Sequence, residues 1–189
     1  MVAFFICDTR IIKARRNMGA QPSTIAYKKN ALRADHGEPL VLFHGSKEKF
    51  SSFSHRPGGD QGFHFGSEAQ ARMRAGSSGW LYSVVLNVSR IKNAKDTGSW
   101  GKDTFRRARA AGYDCIRYLN RYEGVTTERI NELSANGTLS KLDSLSDKDF
   151  LRVVPEADYS YAVFDPGLIH VLSVESLSPE ASVASTMLP

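Results

Sequence analysis

The chain reads as an α+β domain. Runs rich in β-branched and aromatic residues, the mark of strands, fall at 40–43, 80–88, 115–119, 159–164 and 168–174. Segments with helix-start and helix-stop chemistry lie between them, at 67–76 and 103–112. A length of 189 residues suits a single hydrophobic core, or one core with a small appendage.

Taken in order, residues 1–38 are polar, basic and irregular. They read as an N-terminal extension packed on a core domain of residues 39–176 that starts near Pro39. Within the extension, residues 2–7 are apolar enough for a strand or packed arm. They are too short for a secretory signal and have no basic residues before them. The apolar run 40–43 ends in His44-Gly45-Ser46, a buried strand feeding a turn. Residues 47–62 form a long loop rich in Ser, Gly and charge, with Phe50 and Phe53 as anchors. Loops of that length inside compact domains tend to be functional or disordered.

Residues 62–65 are extended. Ser67-Glu68-Ala69-Gln70 is a capping box, so a helix runs from there to about Ala75 and stops near Gly76. A strand follows at 80–88. The next helix, 103–111, ends at Gly112, and another strand covers 115–119. Residues 124–157 break the pattern and read as an insertion, helical over 128–133 and 139–150, with Ser146 as an N-cap. Residues 159–164 alternate as a strand does. Asp165-Pro166-Gly167 turns the chain into the last strand, 168–174. Residues 177–189 are expected to be a disordered tail.

Hydrophobic content of 41% and charged content of 24% are ordinary for a globular protein. No apolar run has membrane-spanning length, so a cytoplasmic protein without a membrane partner is expected. Cys7 and Cys115 form no motif, and a bridge between them would need an oxidising compartment. The net charge of +5 is unevenly spread. Arg10, Lys13, Arg15, Arg16, Lys28, Lys29 and Arg33 form one basic cluster, and Arg106, Arg107 and Arg109 a second. Such surfaces attract phosphates, of a dinucleotide or of a nucleic acid, or simply solvate the fold.

Several chemistries are excluded by motif. There is no GxGxxG after a strand, no P-loop and no GxSxG elbow. No Cys/His cluster has zinc-ligand spacing, so no metal is expected. The glycine-rich stretch 58–62 is isolated. Polar residues at strand ends remain: His44; His64 within Gly62-Phe63-His64-Phe65-Gly66; the stretch Tyr118-Leu119-Asn120-Arg121-Tyr122-Glu123; and Ser160-Tyr161. Taken singly, each has a structural explanation. A histidine beside a strand is more often a satisfied structural residue than a catalyst.

Their order carries more than any one of them. LFHGS, a Phe-rich loop, GFHFGS running into a capped helix, AAGYDCIRYLNRYEG and SYAVFDPGLI together resemble the ADP-ribosyltransferase superfamily, in its bacterial and phage branch. The resemblance covers about residues 40–174 apart from the insertion. It implies a split, mixed β-sheet core with flanking helices and NAD, as substrate, in the cleft between the sheets. It assigns His44 to a ribose hydroxyl and the Gly45 backbone to the nicotinamide amide. Ser46, Phe53 and Phe65 fall beside them as cofactor-binding positions. His64 stands where the family usually has a stacking Tyr, and a His is found there in the RNA 2′-phosphotransferase branch.

The third family position is usually Glu, and here it is Ser160. Breaking the nicotinamide–ribose bond builds positive charge that a carboxylate stabilises. The resemblance therefore points to Glu123 as the acid, with Asp158 as the rival and Glu156 also near Ser160 in sequence. The expected activity is ADP-ribosyl transfer from NAD to a macromolecule, nucleic acid or protein, as a toxin, effector or phage factor would perform it. An antitoxin or immunity protein is the partner such a role implies. The alternatives are NAD-dependent RNA 2′-phosphotransfer, favoured by His64, and a non-catalytic NAD- or partner-binding module, favoured by Ser160.

Overall fold

A computed structural model describes residues 31–55, 61–96 and 102–178. The expected arm at 2–7, Cys7, the basic residues 10–29, Gly58-Gly59 and the tail from Pro179 lie outside the described residues. The protein is a mixed α+β structure of two sheets and several helices.

Strand β1 (Val41–Ser46) lies antiparallel to β3 (Trp80–Leu86), which pairs antiparallel with β7 (Ile169–Ser176). The second sheet has the order β2 (Phe63–Phe65), β6 (Asp158–Val163), β5 (Cys115–Asn120), β4 (Ile91–Asn93). Its β4–β5 pair is parallel and the rest antiparallel, so the sheet is mixed. The two sheets touch edge to edge at one clip. Phe43 N–H donates to Gly66 O at 2.9 Å, and Gly66 N–H donates back to Phe43 O at 3.0 Å.

Side chains alternate across each strand, so each sheet sends one face inward. Leu42, Tyr82, Val84 and Leu86 from the first sheet meet Phe65, Cys115, Tyr161 and Val163 from the second. Full burial of each such side chain contributes about 1.5–3 kcal/mol. The outer face of the second sheet is covered by α2 (Lys102–Ala110), whose Phe105 and Ala108 pack on Ile116 and Ala162. Gly112, at φ 76°, takes the left-handed conformation that stops this helix. Helix α1 (Glu68–Ala75) starts from the expected capping box and lies on the outer face of β1.

The insertion builds a second small core. Helices α3 (Thr127–Ala135), α4 (Leu139–Leu142) and α5 (Asp147–Val153) bury Leu133, Leu142, Phe150 and Val154 against Leu119 and Val125. The single helix expected over 139–150 is two, because Ser146 opens a new one: its Oγ accepts the Asp149 N–H. Arg121 is buried at 4% exposure and holds the break together. Its guanidinium donates to Leu142 O, Asp143 O, Leu145 O and Asp147 Oδ1.

Residues just outside 39–176 are tied to the core at both ends. The core reaches back to Ala31, because Leu32 N–H donates to Leu86 O and Leu40 N–H to Leu32 O. At the other end the Leu177 N–H donates to Gly79 O. Strand β4 carries no sequence signal, being three residues recruited by pairing with β5. Cys115 is fully buried, and burial pushes its thiol to about 12, which leaves it inert.

Candidate active site

The site forms where the two sheets part. Beyond the Phe43–Gly66 clip, β1 and β2 diverge, and His44 spans the gap: its Nδ1–H donates to His64 O at 2.8 Å. Burial lowers the His44 pKa, the bond to the His64 carbonyl opposes this, and the charges of Arg74 and His64 add to the lowering. The ring is therefore neutral at pH 7. With Nδ1 committed as donor, Nε2 is left as an acceptor. A hydroxyl brought to it would donate.

The rings of His44 and His64 do not face each other. The His44 ring sits among Phe50, Phe53, Phe65 and Tyr82, with centroids 5.2–6.1 Å away. The His64 side chain points to the other face of its sheet, where Nδ1 pairs with Tyr118 Oη at 3.1 Å. Phe53 and Phe65 are two of the rings around His44. Phe65 is 2% exposed and belongs to the core, and Phe53 packs edge-on against His44 and Phe50. Both pack on the histidine, and Phe65 also lines the cleft.

Gly45 is placed by two constraints. Its Cα lies against the Ala71 carbonyl of α1, where any Cβ would collide with backbone. Alternate residues of an antiparallel pair turn their N–H and C=O to opposite edges. Phe43 turns its pair to Gly66, so Gly45, two residues on, turns its own pair to the same edge, where β2 has moved away. Among the described residues those two groups meet no partner. Ser46 Oγ is used locally, donating to Glu48 O and accepting the Glu48 N–H.

A polar network lines the cleft. Ser160, buried at 3% exposure, donates from Oγ to Gln70 Oε1 at 3.0 Å. Gln70 Nε2 donates to Asp158 O, so one amide ties α1 to β6. Asn120 Nδ2 reaches Ser160 Oγ at 3.3 Å and also donates to Glu123 Oε2. Arg74 Nε donates to the other oxygen, Oε1, at 2.7 Å. Gly124, at φ 89°, makes the turn that brings the Glu123 carboxylate back over the strand end. Burial pushes the Tyr118 hydroxyl to about 12, so it stays protonated beside His64.

The structure thus brings His64, Glu123, Ser160 and the Gly45 backbone to one cleft, with Tyr118, Gln70 and Arg74. It leaves the His44 ring and Asp158 outside. Strand β6 begins at Asp158, so its side chain shares a face with Ser160, yet its carboxylate turns onto the Tyr159 N–H. Sequence reading missed the role of Arg74, an ordinary last-turn arginine, and read Gln70 only as a cap. The cleft has room for about one water molecule. Among the described residues no group of His, Cys, Asp and Glu could hold a metal ion, and no helix is long and apolar enough to cross a membrane. Comparison with known protein families, with curated proteins and with solved structures finds no match.

Proposed function

We propose that this cleft binds NAD and that the protein transfers its ADP-ribose to a macromolecular acceptor, on an ADP-ribosyltransferase-like fold. One observation carries the reading. Gly45, whose N–H and C=O turn to the strand edge and meet no partner among the described residues, lines the same cleft as Glu123 and Ser160. A carboxamide such as that of nicotinamide is satisfied by one such donor and one such acceptor. The bond to be broken then lies toward Ser160 and Glu123. Heterolysis releases nicotinamide and leaves positive charge on the ribose, which a fixed carboxylate stabilises. The same carboxylate can accept the proton of the attacking acceptor. The His44 ring lies outside the closed cleft, so its Nε2 acceptor would meet a ribose hydroxyl only once the sheets part.

A dinucleotide needs the sheets to part further than the room for one water allows. Two contacts span the gap, His44 to His64 O and Arg74 to Glu123, and both are within reach of exchange for ligand. The closed cleft also favours a second reading, a non-catalytic module in which the Arg74–Glu123 pair is simply structural. Calorimetry with NAD and a nicotinamide-release assay decide between them. Binding with release supports the enzyme, binding without release supports the module, and no binding rejects both.

A further inference from the structure

We infer that the outer face of α2 is a docking surface for single-stranded nucleic acid, which leads an acceptor nucleotide to the cleft. The acceptor role rests on the reading above, but the docking does not.

The first observation is where the charge lies. Residues 90–109 contain Arg90, Lys92, Lys95, Lys102, Arg106, Arg107 and Arg109 against Asp96 and Asp103. Seven basic residues against two acidic give a surplus of five, which equals the net charge of the whole chain. The rest of the protein is balanced in sum, the basic stretch at residues 10–33 being offset by an acidic excess elsewhere, so this segment is one of two sources of positive field.

The second observation is where the fold puts that segment. His64 pairs with Ala162, Ala162 with Ile116, and Ile116 with Lys92, so these four stand in one row across the outer face of the second sheet. Neighbouring strands are about 4.8 Å apart, so the row runs about 14 Å from the cleft to the sheet edge. Helix α2 covers the middle of the row through Phe105 and Ala108. Phe105 lies edge-on to the His64 ring, with centroids 6.4 Å apart. The helix therefore borders the candidate site directly.

The third is what the exposed face offers. Arg106 and Arg109, one turn apart, line an open depression with Gln61 and Asp103. Gln61 immediately precedes the segment leading to His64. The Arg106–Asp103 pair is 2.7 Å long but 76% and 66% exposed, and so is easily given up. At the far end of the helix, Arg90 stands over the Tyr113 ring at 5.3 Å. Guanidinium groups that fork onto phosphate, an amide and a cation-capped aromatic ring are the means by which proteins track a nucleic-acid backbone and its bases. An acidic protein would need the charges alone. A duplex would keep its bases from so narrow a cleft, whereas a single strand can present one.

The test uses the full chain without NAD. Binding of a labelled single-stranded oligonucleotide of about 16 nucleotides is followed by anisotropy across a salt series. The double variant Arg106→Gln/Arg109→Gln is compared with Lys141→Gln/Arg152→Gln, which removes the same charge from the exposed surface of the insertion. The first should lose about tenfold in affinity at low salt, and its salt slope should fall by about 1.4, or about 0.7 for each phosphate contact. The second should bind as the parent does. No binding by the parent, equal losses in both double variants, or displacement by polyglutamate as efficient as by unlabelled strand would overturn the docking surface. None of these outcomes bears on NAD calorimetry, and a failure to bind NAD would leave the docking result standing.

Discussion

Arg74 Nε stands 2.7 Å from Glu123 Oε1, while Glu123 Oε2 accepts the Asn120 amide that also reaches Ser160 Oγ. The carboxylate is thereby held beside the position where the resemblance expects an acid and the chain has a serine. Glu123→Gln keeps the shape and removes the charge. It should lower nicotinamide release by about 10²-fold or more while NAD still binds by calorimetry. Ser160→Ala should be milder. Full turnover in Glu123→Gln rejects the assignment, and loss in Asp158→Asn would move the role there.

His44 is expected to matter twice. His44→Ala should weaken NAD binding about tenfold or more, as loss of a buried hydrogen bond to a ligand does. It should also change the pH dependence of stability. The native pKa lies below the unfolded value of 6.5, so the unfolded chain takes up the proton first as pH falls. This contribution is intact above 6.5 and is lost as pH falls through the native pKa. Urea unfolding at about pH 7.5 and about pH 5.5 should show a smaller difference in His44→Gln than in the parent. An equal difference would mean that His44 is not the group responsible.

Gly45→Ala tests the packing rather than the chemistry. The added methyl meets the Ala71 carbonyl, and backbone on both sides cannot turn away. Overpacking of this kind costs about 1–3 kcal/mol, read as a lower denaturation midpoint with an unchanged slope. A neutral outcome would show that α1 moves off β1 more easily than its contacts imply.

What could be read in the sequence were features that local chemistry decides. The capping box at Ser67, the stop at Gly112 and the β-branched run of β3 each specify their own conformation, and all three formed. What could not be read depends on partners far along the chain. Strand β4 exists only through its pairing with β5, and Phe65 is core only because the second sheet folds over it. The site divides the same way. His44, His64, Glu123 and Ser160 stood out as polar residues at strand ends, but no spacing could show that the His44 ring would bond the His64 backbone. Nor could it show that Arg74, 49 residues before Glu123, would meet that carboxylate.

The insertion hangs on Arg121. Its side chain is 5% exposed, lies over the Phe150 ring at 4.7 Å, and supplies donors to the carbonyls of Leu142, Asp143 and Leu145 and to Asp147 Oδ1. Those carbonyls end α4 and lead into α5, so removal of the guanidinium leaves helix-end acceptors buried without donors. Arg121→Ala should cost about 3–5 kcal/mol, the usual penalty for breaking a buried charged group's contacts. Arg121→Lys should recover only part, since a single ammonium cannot fork to three carbonyls. The loss should be local at first, because the insertion core of Leu133, Leu142, Phe150 and Val154 is separate from the core between the sheets. Hydrogen exchange should therefore show α3 and α5 losing protection while β3 keeps it. Tyr122, whose hydroxyl donates to Asp143 Oδ1, and Glu123 follow Arg121 directly, so transfer should fall together with that protection. Unchanged exchange in α5 in the Arg121→Ala protein would show that the insertion is held by its apolar core alone.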